Sequence, residues 1–134
     1  MKAVLDVSAA YALIMNANDT KLIQQVLAEA DLVKSPDLFI AEASNTAWKY
    51  HRFRGLSEEQ CQDICQTAIA LVDIFAPSSV IWKQAFALAC QHEHTVYDCL
   101  YLSLAQSEGA ILLTKDKKLS RLAQTLGIPL NSTT

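Results

Sequence analysis

No apolar run in this chain approaches the roughly 18 residues of a membrane-spanning helix, so no such segment is expected. Its start lacks a basic stretch followed by an apolar one, because Asp6 interrupts it; the expectation is a cytoplasmic protein without a signal peptide. Glycine and proline are scarce, three of each, and no linker, internal repeat or low-complexity segment is visible. Four cysteines occur (Cys61, Cys65, Cys90 and Cys99), none in a C-x-x-C pair. They read as reduced thiols, with Cys61 and Cys65 on one apolar helix face. Cys90-x-His92-x-His94 matches no zinc-ligand spacing. A phosphate-binding G-x-x-x-x-G-K-[ST] loop is also missing.

What is present is apolar and periodic. Hydrophobic residues make up 51% and charged ones 19%, which excludes a disordered chain. The 134 residues suit a single domain spanning 1–134, with 131–134 as a fraying tail. Residues 2–5 read as a first strand. Ala10, Leu13, Ile14 and Ala17 then recur at helical spacing, as do Ile23, Val26, Leu27 and Ala30. A short strand is expected at 31–34. Ser35-Pro36 reads as the cap and first residue of a helix running to Arg54 and stopped by Gly55. Ser57-Glu58-Glu59-Gln60 is a capping box. A strand is expected within 72–76. Ser78 or Ser79 would cap the next helix, with Trp82, Ala85, Phe86 and Ala89 inward. Thr95 opens a helix ending near Gly109, and 110–113 is a buried strand. Leu119, Leu122, Ala123 and Leu126 mark a last helix closed by Gly127, before an edge strand at 128–130. Strands alternating with helices predict an α/β fold with a mostly parallel sheet covered on both faces, a three-layer α/β/α sandwich.

Four carboxylates stand out from the solvated ones. Asp6 ends the first strand, Glu42 sits early in the third helix, Asp98 in the first turn of the sixth, and Asp116 just beyond the fourth strand. Parallel sheets gather ligands at the carboxyl ends of their strands, so Asp6 and Asp116 belong to one edge by topology. The helix-start positions of Glu42 and Asp98 are compatible with that edge. Each has a plainer reading: Asp6 and Asp116 as N-caps, Asp98 as the last member of a Thr-x-x-Asp box, Glu42 as part of a solvated stripe with Asn45 and Lys49. Carboxylates gathered without a cation repel one another. A hard divalent cation is what several converging oxygens suit, and such an ion promotes phosphodiester hydrolysis. The net charge of −3 does not exclude a phosphate-bearing substrate: without the four carboxylates (formal −4) the remainder carries +1.

At these residues the sequence resembles a known family. Val4-Leu5-Asp6-Val7-Ser8, Ala41-Glu42-Ala43-Ser44-Asn45, Tyr97 to Ala105 around Asp98, and Leu113-Thr114-Lys115-Asp116 look like the four signature segments of PIN-domain ribonucleases. Size and order look most like the VapC toxins of bacterial toxin–antitoxin pairs. The resemblance implies a five-stranded parallel sheet, a homodimer, inhibition by a cognate antitoxin, and endonucleolytic RNA cleavage dependent on Mg²⁺ or Mn²⁺. It also implies site residues. Asp6, Glu42, Asp98 and Asp116 match the acidic positions; Asp6, Asp98 and Asp116 would hold the metal, and Glu42 would orient water. Ser8, Thr114 and Asn45 match supporting polar positions.

Two basic groups are candidate RNA contacts. Trp48 to Arg54 interleaves aromatic residues with Lys49, Arg52 and Arg54, a pattern suited either to gripping single-stranded RNA or to a helix end favoured by its dipole. Lys115 and Lys117, with Lys118 and Arg121, lie beside Asp116 and read either as RNA contacts or as solvated lysines. Tyr97 and Tyr101 are expected to pack, with one hydroxyl near the site edge. An aspartyl-nucleophile phosphatase of the haloacid-dehalogenase type would carry a second Asp at position 8, which is Ser8 here. A non-catalytic binding module on the same scaffold is the other alternative.

Overall fold

The structure, a computed structural model, describes residues 1–133. Thr134, part of the tail expected to fray, lies outside the described residues. The elements run β1 (Lys2–Leu5), α1 (Val7–Ile14), α2 (Lys21–Glu29), β2 (Leu32–Pro36), α3 (Leu38–Arg54), α4 (Glu58–Ala70), β3 (Ile74–Ala76), α5 (Ser78–His92), α6 (Val96–Glu108), β4 (Ile111–Leu113) and α7 (Lys117–Thr125). Among them no helix is long and apolar enough to cross a membrane.

The sheet is parallel throughout, in the order β3-β2-β1-β4. β1 and β4 contribute Ala3, Val4, Leu5, Leu112 and Leu113 to the core, each essentially inaccessible. Such continuous apolar runs are what a sheet covered on both faces requires. From β1 the chain steps outward to β2 and β3, then returns to place β4 on the other side of β1. The order therefore reverses between β1 and β4, and a crevice opens at their carboxyl ends.

Four details depart from the sequence expectations. Among the described residues the sheet has four strands, not five: Leu130 makes only an isolated parallel bridge to Leu112. Pro129 has no N–H to extend that ladder. Ser35 and Pro36 end β2 instead of opening α3. Their backbone is taken up by β3, with Pro36 opposite Ala76, and the Ser35 hydroxyl donates to the Leu5 carbonyl at 2.6 Å. Pro77, not a serine, caps α5, and Ser78 instead donates its N–H to Asp37 across the α3 start. Finally, Trp82 and Phe86 are exposed. The inward face of α5 is Ile81, Ala85, Leu88 and Ala89, whose small alanines let the helix close against α6 and leave the aromatic stripe outside.

The helix stops are as expected. Gly55 and Gly109 follow α3 and α6 in the left-handed conformation at φ 72° and 60°, and Ser57 with Gln60 forms the full capping box of α4. All four cysteines are free, and Cys61 and Cys99 are buried.

Candidate active site

Asp6 is the first residue past β1, and its N–H donates to the Leu113 carbonyl at 3.0 Å. Its side chain is buried and turned into the crevice. Oδ1 accepts from Ser8 Oγ at 2.7 Å and from the Ala9 N–H at 2.9 Å, which makes Asp6 the N-cap of α1 as well. Oδ2 accepts from the Thr114 hydroxyl. Ser8 Oγ in turn accepts the Lys115 N–H at 2.9 Å, and Thr114 Oγ1 accepts the Asp116 N–H at 3.0 Å. The two hydroxyls thus tie the end of β1 to the end of β4 around one carboxylate.

Asp116 caps α7 through the Leu119 N–H at 2.9 Å and is exposed. Asp98 and Glu42 are half-buried on α6 and α3. Tyr101, one turn beyond Asp98, donates its hydroxyl to Glu42 Oε1 at 2.6 Å. A hollow of about 330 Å³ is lined by all four carboxylates together with Ser8 and Tyr101.

Burial pushes the Asp6 carboxyl up to about 6, against the lowering effect of its Thr114, Ala9 and Ser8 donors, and the Asp116 charge adds to the rise. Burial also raises Glu42, opposed by Tyr101 and reinforced by Asp98. Asp98 is raised by burial too, with His94 opposing and Asp116 reinforcing. Each of these three carboxyls feels another of the set, so the crevice concentrates negative charge. The Tyr101 phenol is raised strongly by burial and by Glu42, and therefore stays a donor.

A metal cage is not ready-made: no group of three acidic, His or Cys side chains close enough to hold an ion occurs among the described residues. The donor set nevertheless suits a hard cation that keeps several of its own waters and needs only one or two carboxylates directly. Asp6, Asp98 and Asp116 face one hollow and supply only oxygen.

The other expected residues divide. Ser8 and Thr114 join the site. Asn45 is exposed and lines no part of the hollow; Thr46, one residue on, lines it instead. Lys49, Arg52 and Arg54 lie farther along α3, with Arg54 about 18 Å from Glu42 at 1.5 Å per residue. The Arg54 guanidinium rests 4.8 Å from the Tyr50 ring centre, and that of Arg52 5.3 Å from Phe53. Lys115 donates to the Asp19 carbonyl at 3.3 Å, and Lys117 opens α7 in solvent.

Of the two tyrosines expected to pack, with one hydroxyl near the site edge, Tyr101 supplies that hydroxyl, whereas Tyr97 is exposed on the outer side of α6. One brace of the site escapes a reading from sequence. Asn131 is expected to fray. Instead its amide exchanges two hydrogen bonds with Thr114, at 2.9 and 3.0 Å, and braces the end of β4.

Comparison with known proteins places the fold in a family. The family model described as PIN domain matches residues 3–124. Ribonuclease VapC3 of Pyrobaculum aerophilum is 32% identical over 134 residues, which cover 96% of this chain and all of that one. A crystal structure from the same organism superposes with a TM-score of 0.73 at 24% identity, covering 98% of this chain and 92% of the other. A toxin–antitoxin complex from Klebsiella pneumoniae superposes at 0.66 with 22% identity, covering 98% and 96%. Matched along nearly its whole length by model, sequence and fold, the chain belongs to the PIN-domain family, among relatives of the VapC ribonucleases.

Proposed function

We propose that this protein is a divalent-metal-dependent endoribonuclease that acts as a toxin and is held inactive by a cognate antitoxin. The observation that carries the reading is the meeting of four carboxylates, from four separate elements, in one hollow at the point where the strand order reverses. Similarity to a ribonuclease over the full chain supports RNA as the substrate, and likeness to a toxin–antitoxin complex supports the antitoxin. A homodimer in the cytoplasm belongs to the same reading.

In this reading Asp6, Asp98 and Asp116 hold Mg²⁺ or Mn²⁺. The ion supplies the Lewis acidity that makes attack of water on a phosphodiester practicable at neutral pH. Ser8 and Thr114 fix the Asp6 carboxylate by donating to both of its oxygens. Glu42 has one oxygen engaged by Tyr101 and the other left to accept a proton from the attacking water. Its raised proton affinity brings it nearer the working pH of a general base. In-line attack breaks the bond to the 3′ oxygen, leaving a 5′-phosphate and a 3′-hydroxyl.

Purified protein incubated with total cellular RNA and Mg²⁺ should release discrete fragments carrying 5′-phosphate ends, and EDTA should stop it. RNA left intact at enzyme concentrations matching the RNA would count against the reading.

A further inference from the structure

Beside the acidic hollow lies a second cleft of about 490 Å³, and Asp98 is a wall of both. The turn between α5 and α6 contributes His94, and α7 contributes Lys118 and Arg121. The two cations are three residues apart, so both stand on one side of α7. Neither has a carboxylate partner at ion-pair distance among the described residues. His94 Nδ1 is buried 3.5 Å from Asp98 Oδ2, yet makes no hydrogen bond there. That nitrogen is closed to solvent and faces a carboxylate, so His94 belongs to the Asp98 wall and is out of reach of an entering anion. Two exposed cations on one side of α7, neither locked in an ion pair, suit an anion with several acceptor oxygens. Glu93 and Asp98 also line the cleft, so an anion would be held on the α7 side, away from them.

We propose that this cleft seats the backbone phosphate of the RNA nucleotide flanking the scissile one, with Lys118 and Arg121 as its partners. The identity of the anion rests on the nuclease reading. The cleft shares a wall with the carboxylate hollow, as a subsite one nucleotide away must. It also separates the basic residues near Asp116 into two kinds: Lys118 and Arg121 face the shared cleft, whereas Lys115 and Lys117 do not line it.

The test is binding of a fluorescent single-stranded oligoribonucleotide in EDTA, followed across a salt series, for the wild type, Lys118→Gln/Arg121→Gln and the control Lys21→Gln/Lys83→Gln. Lys118 and Arg121 are exposed, so the variant should melt with the wild type. Two phosphate-directed cations account for about 1.4 of the slope of log affinity against log salt, at about 0.7 per contact for single strands. The expected result is a slope shallower by about that amount in Lys118→Gln/Arg121→Gln, with the control at the wild-type value. An unchanged slope, or a wild type that does not bind, overturns the proposal. RNA cleavage by wild type alongside an unchanged slope would refute the cleft and leave the nuclease reading standing. A lost slope in a protein that cleaves no RNA would leave an anion cleft and refute the nuclease reading.

Discussion

At the end of β1, Asp6 accepts from Ser8, Ala9 and Thr114 and is still pushed up to about 6, because burial outweighs those donors. Its folded value lies above the unfolded 3.8, so the native state holds the proton more tightly. Stability from this group is therefore complete below about pH 4 and falls as pH rises toward 6. Asp6→Asn keeps the neutral shape and removes the titration. In EDTA, the wild type should lose about 3 kcal/mol relative to Asp6→Asn between pH 4 and pH 7, at about 1.4 kcal/mol for each tenfold gain in proton affinity. Denaturant unfolding of the two proteins at several pH values measures this, and parallel pH curves would contradict it. Tyr101 makes a second residue-level test. Its hydroxyl lowers the Glu42 proton affinity, so Tyr101→Phe should raise it and shift the acid limb of RNA cleavage to higher pH. The pH–rate profile reports that shift, whereas simple loss of packing would lower the rate at every pH alike.

Elements place these residues, and a cap can hide a catalytic group. Asp116 caps α7, so an N-cap reading from sequence describes a real bond and says nothing against a second role. Asn caps a helix as well as Asp but carries no charge. Asp116→Asn should therefore leave the metal-free melting temperature within a degree or two, yet slow RNA cleavage by at least about tenfold. Asp116→Ala should do both, lowering stability by about 1 kcal/mol through the lost cap. Equal cleavage by the Asn variant and the wild type would reduce Asp116 to a cap. The helices themselves were legible because their caps are local: Ser57 with Gln60, Thr95 with the Asp98 N–H, and Gly55 after Arg54 all act within one turn. What tertiary pairing decides was not. Ser35-Pro36 carries the local signature of a helix start, but β3 offers its backbone a ladder and extends β2 instead. On α5, periodicity alone does not tell a Trp82–Phe86 stripe from an Ile81–Ala85–Leu88 stripe one position away; close packing on α6 chooses the smaller side chains.

Across the whole molecule, the strand order makes the site. Asp6 and Asp116 share an edge because β1 and β4 are parallel neighbours, which alternation of strands and helices already implied. Glu42 and Asp98 reach the same hollow only because α3 and α6 begin at that edge, and Tyr101, Asn131 and the Lys118–Arg121 cleft depend on packing between distant segments. A cation that binds the folded chain alone should stabilise it by about 2.7 kcal/mol at one hundred times its dissociation constant. Millimolar Mn²⁺ should therefore raise the melting temperature of the wild type and have little effect on Asp98→Asn. Without metal, Asp98→Asn should be neutral or slightly more stable, since it relieves repulsion from Asp116. A flat calorimetric response of the wild type to Mn²⁺ would count against the metal. The most direct measurement remains single-turnover cleavage of total cellular RNA by wild type and Asp98→Asn, each with Mg²⁺ and with EDTA. Discrete fragments should form only with the wild type in Mg²⁺, the variant being at least about 100-fold slower, which corresponds to about 2.7 kcal/mol of transition-state stabilisation. Fragments formed equally well by Asp98→Asn, or in EDTA, would contradict a metal-dependent carboxylate site.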